Sequence, residues 1–339
     1  MSRYSFQILL MERTTQQSLS TMSTRASSPF DHPKADIILR SSDGIDFHVF
    51  KVFLTLVSPF FEAMFELPQP TVMTTGDVNG GLPVVIMQED SGTLDIFLRF
   101  CYPSTLAEDP SLENPTDILA ILGVARKYSL DLIERKVCQA LANPKLLEAE
   151  PLRCFAIARN ARLKHETITA ARYTLRHPLI PARFAEIDLI TASDFLALLT
   201  YHKRCSSAVE SLANLDWLRK HYGGSNGCKW FFGQGGMKAN SKSVQCNCER
   251  TFSSTRYKIW DGVPMAWWAD HMRDTFMILR DCPSGANILA EGEKTIKKVI
   301  GSGCSVCTTL AKGPGDMQEF SNLFALKVDE VTASVCIPA

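Results

Sequence analysis

The chain has 339 residues, of which 45% are hydrophobic and 21% are charged, and its formal net charge is zero. This balance excludes a global basic field that would recruit nucleic acid or an anionic membrane surface. The longest uncharged apolar stretches also fall short of the roughly 20 residues that a membrane helix needs. We therefore expect a globular protein of two or three domains, with neither nucleic acid nor membrane as its partner.

Cysteine usage indicates the compartment. The sequence has eleven cysteines and no Asn-x-Ser/Thr acceptor, and its apolar run at residues 8–11 is too short for a secretory signal. Such thiols are expected to be small buried hydrophobic side chains in a reducing environment. The sequence thus predicts an intracellular protein, and no basic import cluster decides between cytoplasm and nucleus.

Residues 1–34 are rich in Ser and Thr and lack apolar periodicity, which is typical of a mobile tail. The run Asp36-Ile37-Ile38-Leu39 suits a buried strand, and Asp43-Gly44 supplies the positive φ of a tight hairpin turn. Alternating apolar residues from Ile45 predict the second strand of this hairpin.

A helical pattern follows the second strand. The segment from Lys51 to Val57 is densely apolar, and Ser58 is placed to cap a further helix that has Pro59 at its first position. Phe60, Phe61, Met64 and Phe65 recur at helical offsets. No nucleophile, metal cluster or phosphate-binding loop occurs here, so the pattern favours packing against the chain itself or a partner.

This opening segment resembles the start of a BTB/POZ domain, and the likeness continues through residues 84–90, 93–102 and 118–141. Together these matches outline a BTB-like unit at residues 35–142. The positions of the first segment that match the family pattern are Asp36, Phe47, Lys51, Leu54, Ser58, Phe61, Met64 and Phe65. The resemblance implies an α+β fold in which helices cover a small sheet. The Pro/Gly-rich loop at residues 66–82 is similar to that of uncharacterised fungal members.

The resemblance also implies an interface. Asp36 and Lys51 match residues that lie together in a charged pocket at the BTB dimer interface, although a strand-edge Asp and a solvated Lys are the plain alternative. A buried ion pair at such an interface disfavours association with a protein that lacks one of the two charges, because the remaining charge is then buried without a partner. Phe60 and Met64 are further interface candidates, whereas for Phe61 and Phe65 we favour a place in the core.

The rest of the chain divides into two further regions. Residues 143–220 remain helical in pattern and resemble the helical extensions that commonly follow BTB domains. Residues 221–339 begin with a Gly-rich and aromatic stretch and contain Cys and Trp, with helices predicted at residues 264–279, 285–300 and 316–335. This C-terminal region is of unknown type.

Four cysteines of the C-terminal region suggest a zinc site, which needs four tetrahedral thiolate or imidazole ligands. Cys304 and Cys307 form a good half-site, but Cys246 and Cys248 have a poor spacing. Redox pairing and buried structural thiols are the alternatives, and we favour the structural thiols. We accordingly predict no cofactor.

The sequence therefore predicts a non-enzymatic protein–protein interaction module that forms a homodimer or binds a different partner through its BTB unit. By resemblance, one use is as a substrate adaptor on a cullin-based ubiquitin ligase. The alternatives are a transcription-associated scaffold and a zinc- or thiol-dependent enzyme with its site in residues 221–339.

Overall fold

The computed structural model describes residues 24–67, 82–179, 183–222, 265–312 and 317–337. Their contacts divide the chain into two compact units. The first unit draws on Met1–Leu112 and Ala120–Arg135, and the second on Glu113–Leu119 and Lys136–Ala339. The predicted boundaries at residues 142 and 220 do not coincide with this division.

The first unit is built on a four-stranded sheet with the order β1-β3-β2-β4. Strands β2 and β3 pair antiparallel, whereas β1 pairs parallel with β3 and β4 pairs parallel with β2. The strands are β1 (Thr24–Arg25), β2 (Ile37–Arg40), β3 (Ile45–Val49) and β4 (Val84–Ile86). Gly44 has φ +85 in the turn between β2 and β3, as the hairpin prediction requires.

Helices pack against this sheet. The sequence-predicted start at Ser58-Pro59 is observed, because the Ser58 hydroxyl accepts a hydrogen bond from the Phe61 N–H at 3.3 Å. The same buried hydroxyl donates to the Tyr128 carbonyl at 2.6 Å. The helices up to the second unit are α1 (Lys51–Val57), α2 (Pro59–Glu66), α3 (Ser91–Cys101), α4 (Pro115–Lys127) and α5 (Asp131–Leu141), of which α4 and α5 contribute residues to both units.

The prediction of a mobile tail over residues 1–34 is wrong for residues 24–34. Thr24 pairs with Ile45 at the sheet edge, and Phe30 is completely buried with its ring edge-on to Tyr102 at a centroid distance of 5.2 Å. Backbone pairing with β3 and the buried Phe30 ring hold this segment through contacts distant in sequence, so no apolar periodicity predicts it. Residues 1–23 lie outside the described residues.

The second unit is entirely helical over its described residues. Its helices beyond α5 are α6 (Pro144–Ala149), α7 (Pro151–Asn160), α8 (Lys164–Thr174), α9 (Ala192–Glu210), α10 (Asp216–Tyr222), α11 (Ala266–Asp281), α12 (Gly285–Gly301), α13 (Ser305–Lys312) and α14 (Met317–Ala333), with short 3-10 turns at Ala185–Leu189 and Ser211–Asn214. The three helices predicted in the C-terminal region correspond to α11, α12 and α14.

One hydrophobic core joins the described parts of the predicted extension and of the predicted C-terminal region. The Trp217 ring of α10 stacks on Phe324 of α14 with a centroid distance of 5.3 Å. Trp268 of α11 and Phe320 of α14 are buried in the same core. The described residues on both sides of residue 220 therefore belong to one folded unit instead of two regions.

Two histidines are buried among the helices of the second unit. His202 Nε2 lies 2.8 Å from the Thr174 hydroxyl, which itself donates to the Ala171 carbonyl and so acts as the acceptor for His202. His271 Nδ1 lies 2.9 Å from the Thr295 hydroxyl. Burial lowers the pKa of His202 to about 4, and burial also lowers the pKa of His271 to about 4 against the opposing effect of Asp274.

We predict that these histidines make the second unit sensitive to acid. In the unfolded chain each histidine binds a proton near pH 6.5, whereas in the folded chain it does so only near pH 4. The stability that each neutral histidine contributes is therefore fully present above about pH 6.5 and is lost as the pH falls from about 6.5 to about 4. The loss at about pH 5 is on the order of 2 kcal/mol per histidine. Urea unfolding followed by tryptophan fluorescence measures it, because every tryptophan of the sequence lies at or beyond residue 217.

The variant His202→Gln is expected to be less stable at neutral pH but to lose less stability between about pH 7 and pH 5. If His202→Gln keeps the full pH dependence of the wild type, the neutral buried state of this histidine is contradicted.

Candidate protein interface

An exposed apolar surface covers the outer side of α1 and the start of α2. Four of its side chains remain exposed although they are large and apolar: Val52 at 52%, Leu56 at 77%, Val57 at 37% and Phe60 at 43%. We call these four residues the α1–α2 strip. Neighbouring exposed apolar side chains on a protein surface often mark a site of protein–protein contact.

The core of the first unit determines which residues enter the strip. Leu54 of α1 and Phe61 of α2 are completely buried, so the residues on the other faces of both helices turn outward. Phe60 still touches the core edge, because its ring centroid lies 5.1 Å from that of Tyr128. Met64 and Phe65 are half-buried. Phe60 thus lies in the strip, Phe61 lies in the core, and Met64 and Phe65 lie between the two.

The interface candidates named from the sequence were Asp36, Lys51, Phe60 and Met64, and Val52, Leu56 and Val57 were missed. Val52 and Leu56 are four residues apart and therefore share one helix face, whereas Leu54 points inward. The sequence shows the four-residue spacing of Val52 and Leu56. In a short helix whose residues are mostly apolar, however, it does not show which face packs against the core.

Asp36 and Lys51 are neighbours, but the contact uses the backbone. Asp36 is exposed, and its Oδ1 accepts a hydrogen bond from the Lys51 backbone N–H at 2.8 Å. The Lys51 ammonium instead lies 5.6 Å from the centroid of the Phe65 ring. Asp36 therefore supplies the acceptor that Phe50, the N-cap residue of α1, lacks in its own side chain. The charged dimer pocket remains a prediction.

Two tyrosine hydroxyls fix the elements behind the strip. The Tyr102 hydroxyl accepts from the Phe50 N–H at 3.1 Å, and burial raises the pKa of Tyr102 to about 12. The Tyr128 hydroxyl donates to Glu89 at 2.9 Å, while the Lys127 ammonium bonds the other oxygen of the same carboxylate at 2.7 Å. These bonds join the start of α1 to the end of α3, and the end of α4 to the segment after β4.

The structure places two of the four zinc candidates. Cys304 is half-buried and directly precedes α13, and Cys307 is buried in the first turn of that helix. Cys246 and Cys248 lie outside the described residues. Within the described ranges, no group of three or more His, Cys, Asp or Glu side chains is arranged to hold a metal ion.

Two buried cysteines of the second unit differ from reactive cysteines in the pKa of their thiols. Burial raises the pKa of Cys154 to about 12 and that of Cys205 to about 11. Both thiols are therefore protonated at neutral pH, whereas a nucleophilic or metal-binding cysteine needs the thiolate.

In the part of the chain that the structure describes, no helix is both long and apolar enough to span a bilayer.

We predict that Asp36→Ala lowers the free energy of unfolding of the first unit by about 1 kcal/mol, because the Lys51 N–H loses its acceptor at the positive end of α1. Asp36→Asn keeps an acceptor oxygen and should lose less. Denaturant unfolding followed by far-UV circular dichroism measures both variants. An Asp36→Ala protein as stable as the wild type would contradict the capping role.

Comparison with known families agrees with the geometry of the first unit. The family model of the BTB/POZ domain matches residues 30–145, a range that starts at the buried Phe30 and ends just after α5. No curated protein matches the chain. The mixed sheet with its helices and the all-helical extension that follows in the chain confirm the predicted α+β fold class. Residues 30–145 of this chain are therefore a BTB/POZ domain, and this domain is a protein–protein interaction module.

Proposed function

We propose that this protein acts through protein–protein association and that its BTB domain pairs with a second copy through the α1–α2 strip. The exposure of Val52, Leu56, Val57 and Phe60 within one short segment carries the proposal. The domain is an interaction fold, which is not typically enzymatic. The described residues offer no metal-binding group that would favour an enzyme.

The energetics favour the strip as the centre of a larger contact. Full burial of one Val, Leu or Phe side chain contributes roughly 1.5–3 kcal/mol. A stable interface also needs about 1,000 Å² or more of buried surface, so polar neighbours must form the rim. Asp36, which bonds the first residue of α1, is suited to that rim, where a charge controls the choice of partner more than it adds affinity.

We predict that the full chain is a dimer in solution and that Leu56→Asp makes it monomeric. An aspartate at this position would have to be desolvated without a partner, at a cost of several kcal/mol. Size-exclusion chromatography with light scattering measures the mass directly.

Leu132→Asp is the matched control, because Leu132 of α5 is 70% exposed in the same unit but outside the strip. This variant is expected to remain dimeric. A monomeric wild type, or a dimeric Leu56→Asp variant with normal circular dichroism, would contradict pairing through the strip.

The finer proposal is that the protein is a substrate adaptor of a cullin-based ubiquitin ligase, located in the cytoplasm or nucleus. Two features support it: the BTB domain itself, and the helices α6, α7 and α8 that follow α5 with short connections. Helical extensions of this kind commonly follow BTB domains. A transcription-associated scaffold would use the same pairing without a cullin.

We expect the purified chain to co-elute with the N-terminal region of a cullin and to contain equal numbers of both chains. Because the strip serves self-pairing, Leu56→Asp should still bind one cullin per monomer. Absence of a complex at micromolar concentrations would contradict the adaptor role but not the pairing, which the mass of the chain alone decides.

A further inference from the structure

A groove lined by three cationic side chains and one carboxylate lies within the second unit, between the C-terminal half of α9 and the C-terminal half of α11. Its volume is about 460 Å³. The Ser206 hydroxyl donates to the Arg280 carbonyl at 2.8 Å and so joins the two helices at one end of the groove. Its polar and charged lining includes Lys203, Ser206, Ser207, Glu210, Arg273 and Arg280.

Glu210 is an exposed carboxylate of the same groove, so the positive charge available to a ligand depends on which cations have no partner of their own. Arg273 bonds Asp270 at 2.9 Å and Asp274 at 3.2 Å. Lys203 and Arg280, by contrast, are exposed and form no ion pair with any other residue of the described ranges. Arg280 lies in the last turn of α11, where the helix dipole favours a cation. Lys203 lies in the interior of α9, where the helix dipole does not stabilise a cation.

An apolar side chain is exposed among these charges. Met277 of α11 is 66% exposed, and it lies between Arg273 and Arg280 at helical spacing. Phe276 is half-buried and lines the same groove. Methionine is flexible and polarisable, and protein surfaces that accept varied apolar anchors use it for this reason. The groove therefore combines cations with a deformable apolar contact.

We infer that this groove binds an acidic peptide segment of a partner protein, with carboxylates facing Lys203 and Arg280 and one apolar residue packed on Met277. Charge also disfavours the undescribed stretches of the chain itself as the occupant. Residues 223–264 contain six lysines and arginines against two acidic residues, and residues 68–81 contain a single acidic residue. The inference does not depend on dimerisation through the α1–α2 strip.

The probe is a short fluorescein-labelled peptide of glutamates with a central leucine, titrated with the full chain and followed by fluorescence anisotropy. We expect saturable binding that weakens as salt is added, because exposed charges are screened. The double variant Lys203→Glu/Arg280→Glu is expected to bind at least about tenfold more weakly. Met277→Gln keeps the helix-forming tendency and is expected to weaken binding of this peptide by a smaller factor.

Two controls isolate the groove. Lys297→Glu removes an exposed lysine of α12 outside the groove and should bind the peptide as the wild type does. A second peptide with glutamine in place of every glutamate should bind at least about tenfold more weakly to the wild type. Leu56→Asp should bind the acidic peptide unchanged, which separates this result from the pairing of the BTB domain.

Several outcomes would overturn the inference. These are no saturable binding of the acidic peptide, equal binding by Lys203→Glu/Arg280→Glu, and equal binding of the glutamine peptide. Because Lys203 is exposed and forms no ion pair with other described residues, Lys203→Glu should leave the thermal unfolding of the protein unchanged. Arg280→Glu places a carboxylate in the last turn of α11, so it should lower the unfolding temperature by about a few degrees at most. A single variant, Lys203→Glu, serves in place of the double variant if the double variant unfolds.

Discussion

The packing of three aromatic rings in the first unit determines which surface the BTB domain presents. Phe61 stacks on Phe97 with a centroid distance of 5.9 Å and lies 5.0 Å from Tyr128, and all three rings are buried. Successive helical residues are about 100° apart around the axis, so an inward Phe61 turns Phe60 toward solvent. The Ser58 hydroxyl fixes the same turn through the Tyr128 carbonyl. The outward strip is thus a consequence of how the core is filled.

Local signals made much of this unit predictable from the sequence. The Asp43-Gly44 turn needs one residue with positive φ, and Gly44 adopts it. Ser58 and Pro59 mark a helix start through bonds within one turn of the chain. In both cases, the residues that determine the structure lie next to the place where it forms. The sequence therefore predicted both features from residues next to each other in the chain.

Contacts between distant residues account for what could not be predicted. Phe30 is held by β3 and Tyr102, and Asp36 caps a helix that begins fifteen residues later. Trp217 stacks on Phe324, which removes the apparent boundary at residue 220. Lys203 and Arg280 lie in different helices, so their common groove appears only when α9 and α11 are packed together. The sequence showed each residue but not its neighbours.

The α1–α2 strip and the groove between α9 and α11 differ in the interaction that drives binding. Burial of Leu56 and its neighbours depends on removing water, so salt weakens that contact little, whereas the charges of Lys203 and Arg280 are screened by salt. The strip is therefore suited to a lasting contact and the groove to a reversible one. Pairing through the strip would place two grooves in one assembly. A partner with repeated acidic segments would then gain avidity without any new contact in either groove, because its second binding event becomes intramolecular.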